Sequence, residues 1–394
     1  MNNENLDDLF KKSREVKNAF AKKIAKGTSR KCLVEGCKCS AIKSHTISKS
    51  ALQNIAESAY LITGNFEISK IGKTIDDCLQ ADNHNFSFKK IGIGEAGVFR
   101  GFCKEHDKTL FESLDDGGVR TFKDVLLQVY RTVCYSYFEN YYVAVSEEQH
   151  LGYQYNANTD FEEMQELSQK KLKDYLYNYL QDHSELVTMK VEEQMYEPQI
   201  YELSEINCAL IYRRLPTYFD FALECDIQVK SNDKYNHCIV SFFPQKEYTN
   251  LIIACHEDLK EHICSQLIKE IDVLNFLESV FICDSKFFIK TSEYDSWSEQ
   301  KEKIISDDYY FCNERNFLDP YDVSIFDKIR KKICNDDSYK KELQKIGHIP
   351  NRPCFKERYS NQSSDFMAFS IEKSEISGNP SGKNFPHKFI KYNG

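Results

Sequence analysis

The chain has 394 residues, of which 41% are hydrophobic and 13% aromatic, and it contains few glycines and prolines. Such a composition predicts an ordered globular protein of two or three domains. No apolar run reaches the roughly 18 residues that a membrane span needs. The polar N-terminus also lacks the apolar core of a secretion signal. We therefore expect a cytoplasmic protein that has no membrane partner.

The net charge of −9 is unevenly distributed along the chain. Residues 1–50 contain twelve Lys or Arg against five Asp or Glu, a balance of +7, which leaves −16 for the rest. A basic segment beside a Cys/His cluster predicts a phosphate-facing surface and hence a DNA partner. The alternative is an amphipathic helix whose lysines are merely solvated.

The first half of the chain predicts mostly helices, interrupted by short strands. Residues 1–29 have apolar residues at helical spacing and many lysines, which predicts a basic N-terminal helix. Residues 48–61 predict a short helix that a serine caps, and residues 65–72 and 85–94 alternate like two strands. Two longer helices, predicted at 120–149 and 160–183, would form a spacer or a dimerisation surface.

The second half predicts a sheet, because its apolar runs become short and rich in Ile, Val and aromatic residues. We predict strands at 207–214, 219–230, 237–245, 249–257 and 286–294, with one helix over 257–282 covering them. The fold class is therefore α+β, with an antiparallel sheet and a covering helix in the C-terminal domain. The predicted division is 1–29, a zinc module at 30–118, a helical region at 119–190, an α+β domain of unknown role at 200–335 and a largely irregular tail at 347–394.

Two stretches contain the residue types that bind metal ions. They are "CLVEGCKCSAIKSHTISKS", from Cys32 to Ser50, and "GFCKEHDKTLF", from Gly101 to Phe111. Most of the fifteen cysteines stand alone in apolar segments, as buried thiols do in a reducing compartment. Only the clustered ones are therefore candidates for chemistry.

The spacing of these clustered residues predicts a structural zinc site. Cys32 and Cys37 flank a glycine-containing turn, and Cys103 and His106 have the spacing of two ligands at the start of a helix. Two such pairs make a Cys₃His tetrahedron, and a knuckle followed by a pair at a helix start is a treble-clef pattern. Cys39 is an alternative to Cys37 as the second ligand.

The order of these motifs resembles the zinc-containing HNH-type, or ββα-metal, nuclease modules of bacterial proteins, some of which belong to anti-phage defence loci. The resemblance covers residues 30–114. It implies that His45 is a general base on water and that Asp107 holds a divalent cation, Mg²⁺ or Mn²⁺, at the scissile phosphate. A Ser precedes this His where the family has His or Asp, and the family's middle Asn would fall on Asn54, Asn83 or Asn85.

Two functions are consistent with these motifs. One is a metal-dependent DNA endonuclease, which the resemblance extends to a defence effector. The other is a non-catalytic, zinc-stabilised protein that binds nucleic acid or protein. His45, Asp107 and the basic segment favour the nuclease, whereas Ser44 favours the binding protein. A protein partner or a homo-oligomer would use the helical and C-terminal regions.

Overall fold

The computed structural model describes residues 31–66, 86–151, 169–191, 197–231, 234–283, 285–315, 318–358 and 389–391. The predicted basic helix at 1–29 therefore lies outside the described residues, as do Asn83 and Asn85. None of the helices within the described ranges is both long enough and apolar enough to cross a membrane.

The described residues form an α+β structure, which confirms the predicted class. The strands are β1 (Ser44–His45), β2 (Tyr60–Phe66), β3 (Phe86–Gly92), β4 (Val98–Phe99), β5 (Gln199–Leu203), β6 (Cys208–Leu215), β7 (Phe221–Ser231), β8 (Lys234–Gln245), β9 (Tyr248–His256), β10 (Lys286–Ile289) and β11 (Phe389–Lys391). The α-helices are α1 (Lys49–Ile55), α2 (Lys104–Gly117), α3 (Phe122–Leu151), α4 (Gln169–Asp182), α5 (Glu257–Ser265), α6 (Glu270–Ile282), α7 (Thr291–Tyr294), α8 (Glu299–Tyr310), α9 (Asp327–Ile333) and α10 (Lys340–Leu343).

The strands form one large sheet and one small one. The large sheet has nine strands, eight of which follow the order β3-β2-β10-β7-β8-β9-β6-β5. The ninth, β11, pairs in parallel with β7 at Gln228 to Lys230, whereas β10 pairs with β7 at Phe221 to Glu224. Every pairing in it except that of β11 is antiparallel. The small sheet pairs β1 with β4, so that His45 lies opposite Val98. The predicted antiparallel sheet is thus confirmed, and the hairpin β2–β3, from the insertion between the two Cys/His pairs, continues it.

The central strands are apolar on both faces because both faces of the sheet are covered. Ile211 and Val240 pack into a core that includes α6. On the other face, Tyr212 and Ile239 pack into a second core that includes α3 and residues 31–66 and 86–118, called here the Cys/His segment. A strand buried on both sides has a nearly continuous apolar sequence, which is the pattern that made these strands recognisable.

Some elements differ from the prediction. The helix predicted over 257–282 is two helices, α5 and α6, because Lys269 has an extended backbone conformation with ψ 145°. Leu259, Ile263 and Leu267 repeat every four residues and are all buried, so the sequence reads as one helix through the break. The strand predicted at 65–72 begins earlier, at Tyr60, and everything after Phe66 in that stretch lies outside the described ranges.

A carboxylate fixes the Cys/His segment to the C-terminal half. Glu57 accepts hydrogen bonds from Thr291 Oγ1, from the Ser292 backbone N–H at 2.8 Å and from Ser292 Oγ at 2.7 Å. These donors lower the pKa of Glu57 to about 2, since they stabilise its ionised form. The Cys/His segment is thus joined to the C-terminal half by the pairing of β2 with β10 and by the hydrogen bonds of Glu57.

Candidate metal centre

The first half of the centre is a tight knuckle. The backbone N–H of Cys32 donates to the Cys39 carbonyl at 2.9 Å, and the N–H of Cys37 donates to the Val34 carbonyl at 3.1 Å. Gly36 turns the chain with φ +74°, a conformation that glycine adopts without steric cost. The glycine before the second cysteine, noted in the sequence, is therefore what folds Cys37 back towards Cys32.

The second half of the centre is the start of α2. Cys103 is the N-cap residue of this helix, and its sulfur accepts from the backbone N–H of His106 at 3.5 Å. The first backbone N–H groups of a helix have no partner within the helix, and the Cys103 sulfur lies where it accepts from one of them. Two backbone bonds, from Leu33 to Gly101 and from Ile42 to Phe102, bring the two halves together.

The four predicted zinc ligands converge. One ligand atom from each of Cys32, Cys37, Cys103 and His106 lies within 4.8 Å of all the others. His106 Nδ1 is 3.3 Å from Cys32 Sγ and 3.4 Å from Cys103 Sγ, and the Cys37 and Cys103 sulfurs are 4.0 Å apart. Tetrahedral zinc with ordinary bond lengths would separate its ligand atoms by about 3.5–3.8 Å. The donor set and its spacing are compatible with a zinc site.

The protonation states of the cysteines bear on metal binding. Burial raises the pKa of the Cys32 thiol to about 12, whereas the backbone N–H of Cys39 lowers that of Cys37. Zinc binds thiolates, so the ion must displace a proton from Cys32. Affinity for zinc should consequently decrease as the pH falls. Among the described residues, no second group of three or more Cys, His, Asp or Glu side chains meets the same geometric test.

His45 lies on β1, next to the zinc cluster but not part of it. Its Nε2 is 3.3 Å from the Ile93 carbonyl oxygen. A carbonyl can only accept, so Nε2 carries the hydrogen and Nδ1 keeps its lone pair. Burial lowers the pKa of His45, which keeps the ring neutral near pH 7. A neutral imidazole with one nitrogen fixed in this way is suited to accept a proton.

Asp107 lies in the first turn of α2 and is close enough to His45 for the two charges to interact. Burial raises the pKa of Asp107, and the Ser44 hydroxyl and the Arg131 guanidinium partly oppose that increase. Arg131 is buried and binds Asp115 through two hydrogen bonds, of 2.7 and 3.0 Å. His45 and Asp107 thus lie within range of each other's charge and of Arg131, whose ion pair with Asp115 the sequence did not reveal.

Another group that the sequence did not reveal involves the residue that follows His45. Thr46 follows His45 and is fully buried, and its hydroxyl is close enough to Glu224 of β7 to lower that carboxyl's pKa. Burial dominates, however, and raises the pKa of Glu224 to about 7. An acidic residue in a strand carries no local signal of such a contact, because the partners are remote in sequence. The strand also contains Asp226, Gln228 and Lys230, so the sequence does not single out Glu224.

Two other positions that the HNH-type pattern singles out, Asn54 and Ser44, are less informative. Asn54 is on α1, where its side chain is exposed and its backbone carbonyl accepts from Tyr218 Oη at 2.6 Å. Ser44 is buried opposite Phe99, at the position where the family has His or Asp.

Comparison of the chain with protein-family models, with curated proteins and with solved structures gave no match. The resemblance to HNH-type modules thus depends on the residues and geometry described above.

Proposed function

We propose that this protein is a metal-dependent endonuclease that hydrolyses phosphodiester bonds of DNA at a site that includes His45 and Asp107. The observation that carries this proposal is the fixed, neutral imidazole of His45, which lies on a ββα unit close to a carboxylate. The unit consists of β1, β4 and α2, and the Cys₃His cluster lies at the N-terminal end of α2.

His45 would act as the general base. Its Nδ1 accepts a proton from a water molecule while the water oxygen attacks the phosphorus atom. The bond from phosphorus to the leaving sugar oxygen breaks, and solvent protonates that oxygen. The Ile93 carbonyl stabilises the imidazolium that forms, because it accepts the Nε2 hydrogen. General-base catalysis of this kind contributes about 10²–10⁴-fold to a rate.

Asp107 would hold the divalent cation. Mg²⁺ is usually bound by one or two carboxylates together with substrate phosphate oxygens, so a single carboxylate fits this role. Asp115 is not free to help, since Arg131 holds both of its oxygens. When bound, the cation neutralises charge on the phosphate.

The test is a plasmid-nicking assay with Mg²⁺ or Mn²⁺. We expect His45→Ala to lower nicking by about 10²-fold or more while zinc content and melting temperature stay near those of the wild type. Asp107→Asn should also abolish nicking, with partial recovery at high divalent-cation concentration. His348→Ala, at an exposed histidine of the C-terminal part, is the control and should nick normally.

The second candidate function is a zinc-stabilised binding protein. Ser44 favours it, because a hydroxyl is a poor replacement for the His or Asp of the family, and so does the commitment of Asp115 to Arg131. If the wild type fails to nick DNA with every divalent cation tried, or if His45→Ala unfolds the zinc segment, this second function is the better one. DNA binding that weakens steeply with salt would still fit it, through the basic residues at 1–29.

A further inference from the structure

The knuckle contains a third cysteine, Cys39, which the zinc tetrahedron does not need. Its backbone carbonyl closes the knuckle by accepting from the Cys32 N–H, so its position is fixed. Its side chain is exposed, and its thiol interacts with those of Cys37 and Cys103. It is absent from the set of four atoms that are mutually within 4.8 Å. The cluster therefore offers five donors for the four positions of tetrahedral zinc, and the fifth donor is on the solvent side.

The neighbours of Cys39 differ in how far solvent reaches them. Cys32 and Cys103 are 7% and 4% exposed, whereas Cys37 is partly exposed. An oxidant from solvent would thus meet Cys37 before the other two sulfur ligands. Outside the cluster, the cysteines of the described segments are buried or partly buried, with Cys354 the exception. Oxidation of cysteine follows thiolate character and exposure, and reversible sites have a second thiol close by.

We propose that Cys37 and Cys39 form a peroxide-sensitive pair, in which oxidation joins the two sulfurs and removes one ligand from the zinc. The proposal requires bound zinc but does not depend on nuclease activity. It makes the exposed side of the knuckle a site of reversible covalent modification.

The chemistry balances with one hydrogen peroxide per disulfide. The Cys37 thiolate attacks one peroxide oxygen, which breaks the O–O bond, forms a sulfenic acid and releases hydroxide. The Cys39 thiol then attacks the Cys37 sulfur, so that an S–S bond forms and the sulfenic oxygen leaves as water, taking up the thiol proton. Cysteine is oxidised by two electrons in total, and peroxide is reduced. The zinc retains three ligands and binds more weakly.

The test treats zinc-loaded full-length protein with hydrogen peroxide and follows zinc release with a chromogenic chelator. We expect Cys39→Ser to hold one zinc and to release it at least about tenfold more slowly than the wild type, because the knuckle then lacks the thiol that is not a zinc ligand and that resolves the sulfenic acid. Cys354→Ser, at the exposed cysteine outside the cluster, is the matched control and should behave like the wild type. Dithiothreitol with added zinc should restore the loaded protein, since strained and exposed disulfides are easily reduced.

Peptide mapping identifies the bond itself. Trypsin cleaves after Lys31, Lys38 and Lys43, so a Cys37–Cys39 disulfide links peptide 32–38 to peptide 39–43. Fragmentation of the linked pair distinguishes Cys37 from Cys32. Equal release rates for the wild type and Cys39→Ser would overturn the proposal, and so would a bond from Cys39 to the peptide that contains Cys103. A Cys39→Ser protein that no longer binds zinc would also overturn it, because Cys39 would then be a ligand.

Discussion

The metal centre and the core on the α6 face of the large sheet are stabilised in opposite ways. At the centre, three sulfurs and an imidazole face one another, and no cationic side chain is hydrogen-bonded to the sulfurs in the described structure. In the core, Arg330 is fully buried and binds Glu278 and Glu342, with further bonds to Ser324 and Asn275. The core thus contains its own counter-charges, whereas the centre has a donor set that is compatible with a bound zinc ion.

This difference predicts that the Cys/His segment, unlike the sheet, depends on a bound metal ion for its stability. The sheet buries apolar side chains on both faces and should fold from its own sequence. The Cys/His segment has fewer apolar residues, and its two halves are far apart along the chain. Loss of the metal and loss of a buried charge should therefore damage different regions.

Loss of the metal should have the largest effect. Structural zinc in small domains binds with an apparent free energy of about 10–16 kcal/mol, much of which is folding free energy. We expect Cys103→Ser to lose zinc and to expose residues 31–66 and 86–118 to hydrogen exchange, while β6 to β9 stay protected. Elemental analysis and exchange mass spectrometry measure both outcomes. Cys334→Ser, at a buried cysteine of the sheet core, is the control and should keep its zinc.

Removal of Arg330 should have the next largest effect, and it should act on the other region. Arg330→Met leaves the Glu278 carboxylate buried without its cation, which typically costs about 3–5 kcal/mol. Urea unfolding should show this loss while zinc content is unchanged. The double variant Arg330→Met, Glu278→Leu should recover much of the stability, because no buried charge then remains. A loss below 1 kcal/mol in the single variant would contradict the contrast between the two regions.

The contact between the two regions should contribute less. Glu57→Gln weakens the bonds to Thr291 and Ser292, and since the carboxylate is partly exposed we expect a loss of about 1 kcal/mol or less at pH 7. The folded pKa is lowered, so this stability is present above the unfolded pKa and is lost as the pH falls towards about 2. Urea unfolding at several pH values checks this. Glu95→Gln, in an exposed ion pair with Lys43, should change little at any pH.

The smallest effect should come from His45. Burial lowers its folded pKa below the unfolded value, so the unfolded chain binds the proton more tightly. Stability should therefore be complete above the unfolded pKa of about 6.5 and decrease as the pH falls from there through the folded pKa. His45→Gln should remove this part of the pH dependence. If the wild type and the variant have parallel stability curves between pH 8 and pH 5, His45 is not held neutral by its surroundings.

The sequence by itself determined the features that depend on local pattern. The spacing of the two Cys/His pairs and the glycine between Cys32 and Cys37 predicted which side chains converge. Short runs rich in Ile, Val and aromatic residues predicted the strands, since these residues favour a pleated, buried surface. Ser48 was predicted to cap the helix after His45, and its hydroxyl does accept the Ala51 N–H at 3.1 Å.

Only the tertiary structure decided the features that need partners from remote segments. The break before α6 is one of them, because the four-residue apolar repeat continues across it, while α6 packs against α8 and α9 and shares a core with the sheet. Arg131 beside Asp107 and Glu224 beside Thr46 are others, since a single charged residue carries no signal of what it will face. The same holds for Cys39: spacing made it an alternative ligand, and the knuckle's fold placed it outside the mutually close set. Local periodicity specifies elements, but the packing between them fixes which polar groups meet.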